Sequence, residues 1–258
     1  MASPLPESPP IPWRINFRSL WRAGLLLLIG VWGLIEFVLV PRNRRTLRGK
    51  AEWLGNTCRR CLKMLNVRVR QEGVVPPEVM LTPNHVGYLD MLVLSALNPL
   101  VFVSKSEVKT WPLFGWFASL AGTLFIERKN KSDLIRVGEQ LTEVWGASVN
   151  PVVFLEGTST DGTGVRPFRP GLLEPLVRIN AGAVPVMLKY RVPQNYDARI
   201  DLAWWGTMPL LPHLLRMIGM PWVEVTVKIG KTVSGYTDRK SMAAALESAV
   251  RNELAAGA

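Results

Sequence analysis

Histidine is scarce: His85 and His213 are the two in 258 residues, so chemistry built on an imidazole has two starting points. Cysteine is equally scarce, which excludes a disulfide-stapled scaffold. Cys58 and Cys61 have a Cys-x-x-Cys spacing, but no strand precedes them as a redox pair requires, and no second pair supplies the remaining ligands of a zinc site. With Leu54 and Leu65 they fall on one face of an amphipathic helix expected over Ala51–Asn66, as small apolar residues in a reducing compartment. A complete phosphate loop is missing, because Gly230-Lys231-Thr232 has Val225 where the motif needs glycine. The nucleophile elbow G-x-S-x-G is also incomplete: Gly157-Thr158-Ser159-Thr160 is followed by Asp161. A serine esterase or thioesterase using Ser159 therefore stands only as a distant alternative. Low hydrophobicity, the mark of a disordered chain, is absent at 48% apolar residues.

Acidic residues are outnumbered, 20 to 31, giving a formal net charge of +11. The excess is local. Residues 1–70 hold 13 Lys/Arg against 3 Asp/Glu, and the rest of the chain is close to neutral. A nucleic-acid enzyme spreads its cations along a groove that tracks phosphates. Here they surround an apolar run, the pattern of a segment drawn to anionic headgroups. The expected partner is a lipid bilayer and not nucleic acid.

The apolar run is Ala23–Val40, interrupted by Gly24, Gly30, Gly33 and Glu36. As a helix it would extend about 27 Å, a little short of a bilayer core of about 30 Å. No small-residue cleavage site comes after it, and Pro41-Arg42-Asn43-Arg44-Arg45 reads as a stop, so a cleaved leader is not expected. Arg42, Arg44, Arg45, Arg48 and Lys50 outnumber Arg14, Arg18 and Arg22 on the other flank. That bias puts the bulk of the chain on the cytoplasmic side of a cell membrane. Whether the helix spans the bilayer or lies in its surface is left open. Ahead of it, residues 1–12 carry five prolines and read as a disordered tail.

From residue 67 the pattern changes. Short β-rich runs at Val67–Arg70, Val79–Thr82, Leu100–Val103, Gly122–Ile126, Pro151–Leu155, Ala183–Tyr190 and Val223–Ile229 alternate with helical stretches. Helices are expected at Tyr88–Leu97, Trp111–Leu120, Lys131–Val149, Gly171–Ile179 and Asp238–Ala256. This predicts an α/β fold, a mostly parallel sheet flanked by helices. The organisation is then a tail (1–12), N-terminal membrane-associated helices (13–66) and an α/β domain (67–258). Ala203–Trp222, rich in Trp, Leu, Met and Pro, fits a core helix, a membrane-lying segment or a lid.

Open parallel sheets place ligands at the C-terminal ends of their strands. Val79–Thr82 ends in Pro83-Asn84-His85, and Asp90 comes five residues later. On one straight helix that separation turns the side chains apart by about 140°. With His85 in the turn and Asp90 in the first helical turn, the carboxylate can reach back to the imidazole, with Gly87 easing the turn. A carboxylate on one ring nitrogen leaves the other as a base. Two more strand ends carry Phe125-Ile126-Glu127-Arg128 and Phe154-Leu155-Glu156-Gly157-Thr158. Arg128, with Lys105 after another strand, is a candidate cation for an anionic headgroup. Glu156 is a candidate acceptor, and Gly157 lets backbone approach a substrate. His213 has no nearby carboxylate in sequence and reads as structural or headgroup-facing.

Asn84-His85-x₄-Asp90, Phe-Ile-x-Arg, Phe-x-Glu-Gly-Thr and Val184-Pro185-Val186, in that order, resemble the bacterial 1-acylglycerol-3-phosphate acyltransferase family. The resemblance covers about residues 65–230. It implies a membrane-bound enzyme that moves an acyl chain from acyl-CoA or acyl-carrier protein to the hydroxyl of a lysolipid, lysophosphatidate to phosphatidate first. In that picture His85 is the base, Asp90 orients it, and Asn84, Lys105, Arg128, Glu156, Gly157 and Thr158 bind the acceptor. No metal or cofactor is called for, since the acceptor oxygen attacks the donor thioester directly. Trp111, Phe114, Phe117 and Leu120 are candidates to line an acyl tunnel. One position departs from the family: an arginine is expected after Thr158, and Ser159 stands there. Arg166 or Arg169 is a possible substitute. Phe-x-Glu-Gly-Thr-Ser is similar to the lyso-ornithine lipid acyltransferases, whose acceptor presents an amino acid.

Overall fold

The computed structural model describes residues 7–8, 15–110, 114–126 and 131–256, without the side chains of 105, 114, 131–135, 137 and 138. The Pro-rich tail, apart from residues 7–8, Trp111, Arg128 and the side chains of Lys105 and Phe114 lie outside the described residues.

Seven strands form one sheet: β1 (Val67–Glu72), β2 (Val79–Pro83), β3 (Leu100–Lys105), β4 (Leu124–Ile126), β5 (Asn150–Val152), β6 (Gly182–Arg191) and β7 (Val223–Ile229). Their spatial order is β1-β7-β6-β2-β5-β3-β4. Every pairing is parallel except β6 with β7. The sheet is the mostly parallel one expected, with one reversal that turns β7 and β1 against the rest. Strand β2 sits at the centre, and all five of its residues are buried, as a strand covered on both faces must be.

Helices α1 (Phe17–Leu39), α2 (Leu47–Leu65), α3 (Leu89–Leu97), α4 (Phe114–Leu120), α5 (Lys131–Gly146), α6 (Glu174–Arg178), α7 (Leu210–Ile218) and α8 (Arg239–Ala256) surround the sheet. Strand alternation divides the core in two. Leu81, Val184 and Leu188 pack with α2, α3 and α7, whereas Met80, Val153 and Ala183 pack with α6 and α8. Leu62 and Leu65 of α2 belong to the first of these clusters. The chain therefore enters its α/β core before residue 67. Cys58 and Cys61 lie on α2; burial pushes their thiols up to about 12 and about 11, which keeps them protonated and unreactive.

Helix α1 begins six residues earlier than the apolar run. Asn16 caps it, accepting from the Ser19 N–H at 2.9 Å. Its 23 residues are long and apolar enough to cross a membrane, yet it lies along the protein. Arg22 is buried and donates to the carbonyls of Ile218 and Met220, at 2.9 and 2.5 Å, where α7 ends. It is a docking residue, so it drops out of the flanking-charge comparison made from the sequence. Midway, Trp53 of α2 donates to the Gly33 carbonyl at 2.7 Å. A Cβ at Gly33 would lie 3.0 Å from the Thr57 hydroxyl, so glycine is what lets α1 and α2 approach. Near the C-terminal end Arg60 of α2 grips Glu36 with two hydrogen bonds, and Trp32 adds a third at 2.8 Å. That pairing explains a carboxylate in an apolar helix. The opposite face stays bare: Phe17, Leu20, Trp21, Leu28, Val31, Trp32, Ile35 and Val38 form an exposed stripe at helical spacing.

Candidate active site

Beyond Pro83 the chain leaves β2 at the edge where β3, β4, β5 and β6 also end. Asn84 is fixed first. Its side-chain oxygen accepts from the Leu188 N–H at 2.7 Å, and its amide donates to the Leu188 carbonyl at 3.0 Å. Strand β6 runs past the end of β2, and Asn84 continues the ladder with its side chain. It is buried, so its work in this geometry is to brace the strand end.

His85 comes next, with its Nδ1 2.8 Å from Asp90 Oδ2. The same oxygen accepts from the Val86 and Gly87 N–H groups, at 2.7 and 2.9 Å. The turn expected from the spacing is the one present, with Asp90 in the first turn of α3. Gly87 is needed for space: a Cβ there would lie 3.2 Å from the Trp204 backbone nitrogen. Asp90 is fully buried, and its Oδ1 accepts from the Tyr190 hydroxyl at 2.6 Å. All these partners are donors toward Asp90. The pattern assigns the hydrogen to Nδ1 of His85 and leaves the lone pair on Nε2. The imidazole is partly exposed, so a substrate can reach it. Phe154 stacks on it, ring centroids 3.9 Å apart and planes within 20°.

Glu156 lies behind this loop and not in front of it. One carboxylate oxygen accepts from the His85 N–H at 2.7 Å, the other from the Arg166 N–H at 2.8 Å. It is 1% exposed, and burial pushes its carboxyl up to about 7 against those two bonds. Gly157 turns the chain at φ +76°, a left-handed conformation that favours glycine. Thr158 is half-buried beside it. Thr160 closes the arrangement, donating through both N–H and hydroxyl to the His85 carbonyl. Lys105 ends β3 in register with Ile126, the last residue of β4, at the same edge of the sheet.

Residues 66–189 match a family model described as Acyltransferase. A lyso-ornithine lipid O-acyltransferase of Rhodobacter capsulatus is 32% identical over 96% of this chain and 94% of its own length. The chain belongs to the acyltransferase family. A Pseudomonas aeruginosa lyso-ornithine lipid O-acyltransferase is 35% identical, with 92% of each chain covered. A 1-acyl-sn-glycerol-3-phosphate acyltransferase of Neisseria gonorrhoeae is 32% identical over 45% of each. Among solved structures, the 1-acyl-sn-glycerophosphate acyltransferase PlsC of Thermotoga maritima superposes with a TM-score of 0.66 at 17% identity, over 93% of this chain and 97% of the other.

Other residues of this acyltransferase fall into place around that centre. Ser159 donates its hydroxyl to the Trp204 carbonyl, so it is not hydrogen-bonded to His85 as a serine nucleophile would be. His213 is buried on α7, where it takes the Tyr88 hydroxyl on Nδ1 at 2.9 Å, and burial pushes its imidazole down to about 4. It is neutral and structural. Phe117 stacks on Trp53, against the N-terminal helices. A cavity of about 350 Å³ opens next to the Glu156 loop, lined by Ser159, Thr160, Asp161, Arg166, Trp205 and Arg251 among others. Arg166 lines it and Arg169 does not. Phe154 and Tyr190 are site residues that the sequence alone did not single out. Phe154 stands inside a motif and was within reach; Tyr190 is one aromatic on a strand and carried no signal.

Proposed function

We propose that this acyltransferase moves a fatty acyl chain from an acyl-CoA or acyl-carrier-protein thioester to the hydroxyl of lyso-ornithine lipid at a membrane surface. The observation that carries the chemistry is the His85–Asp90 pair, whose Nε2 has no hydrogen-bond partner among the described residues. Nε2 takes the acceptor's hydroxyl proton as the oxygen attacks the thioester carbonyl. The C–O bond forms, the C–S bond breaks, and the departing thiolate recovers the proton from the imidazolium, whose charge Asp90 balances. Asp90 acts through His85, Asn84 and Glu156 hold the loop from which His85 works, Gly157 turns the chain beside it, and Thr158 stays a candidate acceptor contact on the strength of its place in the motif. Lys105 and Arg128 stay as acceptor cations on the strength of their places in the sequence, just after strands.

Two observations favour the ornithine acceptor over lysophosphatidate. The relatives aligned along nearly the whole chain are lyso-ornithine lipid enzymes, whereas the lysophosphatidate enzyme of Neisseria aligns over less than half. The position where a phosphate-binding arginine is expected holds Ser159, whose hydroxyl is already engaged. An ornithine headgroup brings a carboxylate and an ammonium. The adjacent cavity is lined by both signs: Arg166 is the cation for the carboxylate, and Asp161, which now pairs with Arg199 at 3.1 Å, would have to exchange that partner for the ammonium.

The bare stripe of α1 is read as the membrane contact. The helix is held to α7 at one end and to α2 at the middle and far end, so burying the stripe in the headgroup region keeps those contacts while crossing the bilayer would break them. The catalytic domain then lies on the cytoplasmic face of the cell membrane, where acyl donors are made.

The test is an acceptor comparison. Purified enzyme receives labelled acyl-CoA or acyl-carrier protein with lyso-ornithine lipid or lysophosphatidate. We expect kcat/KM to favour lyso-ornithine lipid by at least about tenfold, the weight of one charge-assisted contact. Preference for lysophosphatidate would overturn the acceptor and leave the chemistry standing.

A further inference from the structure

We propose that Tyr190 is a positioning residue of the catalytic centre, holding Asp90 from the side opposite His85. This rests on the reading of His85 as base and is independent of which lysolipid is acylated.

Strand β6 outruns β2. The last register pair between them is Pro83 with Val186, and β6 continues to Arg191. Alternation puts Leu188 and Tyr190 on the same face, the face of α3. Leu188 receives Asn84, and two residues on, Tyr190 meets Asp90. One strand therefore fixes both ends of the loop that carries His85.

The division of labour at Asp90 is uneven. Oδ2 accepts from His85 Nδ1 and from two backbone N–H groups, whereas among the described residues Oδ1 accepts from the Tyr190 hydroxyl alone. Oδ1 belongs to a side chain with no exposure, so no other donor replaces that hydroxyl without rearrangement. Removing it leaves a buried carboxylate oxygen unsatisfied and free to rotate away from the plane that serves His85. Burial and the neighbouring Asp90 charge both push the Tyr190 phenol well above its usual range, so it stays a donor wherever the enzyme works. Among the described residues, His85 and Tyr190 bond Asp90, and the Glu156 carboxyl lies near enough to feel its charge.

The experiment compares wild type, Tyr190→Phe, Asp90→Asn and the double variant, with His85→Ala as control. We expect Tyr190→Phe to lower kcat about 10–100-fold, the range for one hydrogen bond to a charged group, with KM for either substrate within about twofold. In the Asp90→Asn background the same change should add little. Unchanged kcat, or a loss that adds fully to that of Asp90→Asn, overturns the proposal. If His85→Ala keeps its activity, the reading of the base fails, and that outcome is distinct. Should Tyr190→Phe not fold, Tyr190→Gln, which keeps a donor, is compared with Tyr190→Leu, which does not; equal kcat overturns the proposal.

Discussion

Glu156 shows how a motif residue can be turned toward backbone. Its two oxygens tie the His85 backbone to that of Arg166, so one side chain links the loop that carries His85 to a residue lining the adjacent cavity. It also makes a pH prediction. Burial raises its carboxyl from an ordinary 4.5 to about 7, so between those values the folded chain holds a proton the unfolded chain has released. Stability from this group is highest below about pH 4.5 and declines as pH rises to about 7, by on the order of 3 kcal/mol in full. Glu156→Gln removes the titration. Thermal unfolding should show wild type losing ground to the variant between pH 5 and pH 8; a difference flat with pH would contradict this. A second prediction concerns Arg166. Arg166→Gln should raise KM for lyso-ornithine lipid about tenfold or more with kcat little changed, the loss of one charge-assisted contact. Steady-state kinetics checks it. The residue scale is also where sequence and structure part most. His85 and Asp90 were legible because a strand end, a turn and a helix start fix their approach. Glu156 and Asn84 were legible as polar residues at strand ends, but their backbone partners were not, since a headgroup ligand and a backbone brace use the same polar atoms. Tyr190 needed the register of β6 on β2, a long-range pairing that no local spacing encodes.

At the scale of elements, the seven strands were legible because a parallel sheet buried on both faces leaves short apolar runs between helices. The β6–β7 reversal was not, because a strand's composition does not state its direction. Helix α1 was visible as an apolar run, but its docking depends on Arg22, which in sequence is one more flanking cation. Arg22→Ala should destabilise the protein by about 1–3 kcal/mol, because the Ile218 and Met220 carbonyls lose their buried donor. A lowered unfolding temperature in detergent checks this. The exposed stripe makes the complementary prediction. Leu28→Lys with Val31→Lys changes two outward-facing residues and should leave the fold intact. Each side chain withdrawn from lipid forfeits about 1.5–3 kcal/mol, so vesicle binding should weaken by at least about tenfold. Co-flotation with anionic vesicles measures it; unchanged binding would show that another surface meets the membrane.

Across the whole molecule, His85, Asp90 and the cavity read as the headgroup site gather at one edge of the sheet. The helix that carries the apolar stripe is fastened to the same body through α2 and α7. On the reading proposed, a lipid acceptor held in a bilayer has to present its hydroxyl to a fixed imidazole, and a rigid attachment between α1 and the sheet edge meets that need. The claim at the centre is that the imidazole of His85 performs the proton transfer and that Ser159 forms no acyl-enzyme. The most direct measurement is labelled acyl transfer to lyso-ornithine lipid by wild type, His85→Ala and Ser159→Ala under identical conditions. The account predicts a loss of about 10²–10⁴-fold for His85→Ala, the contribution of a general base, and near-wild-type transfer for Ser159→Ala. Retained transfer by His85→Ala, or abolished transfer by a folded Ser159→Ala, would contradict it.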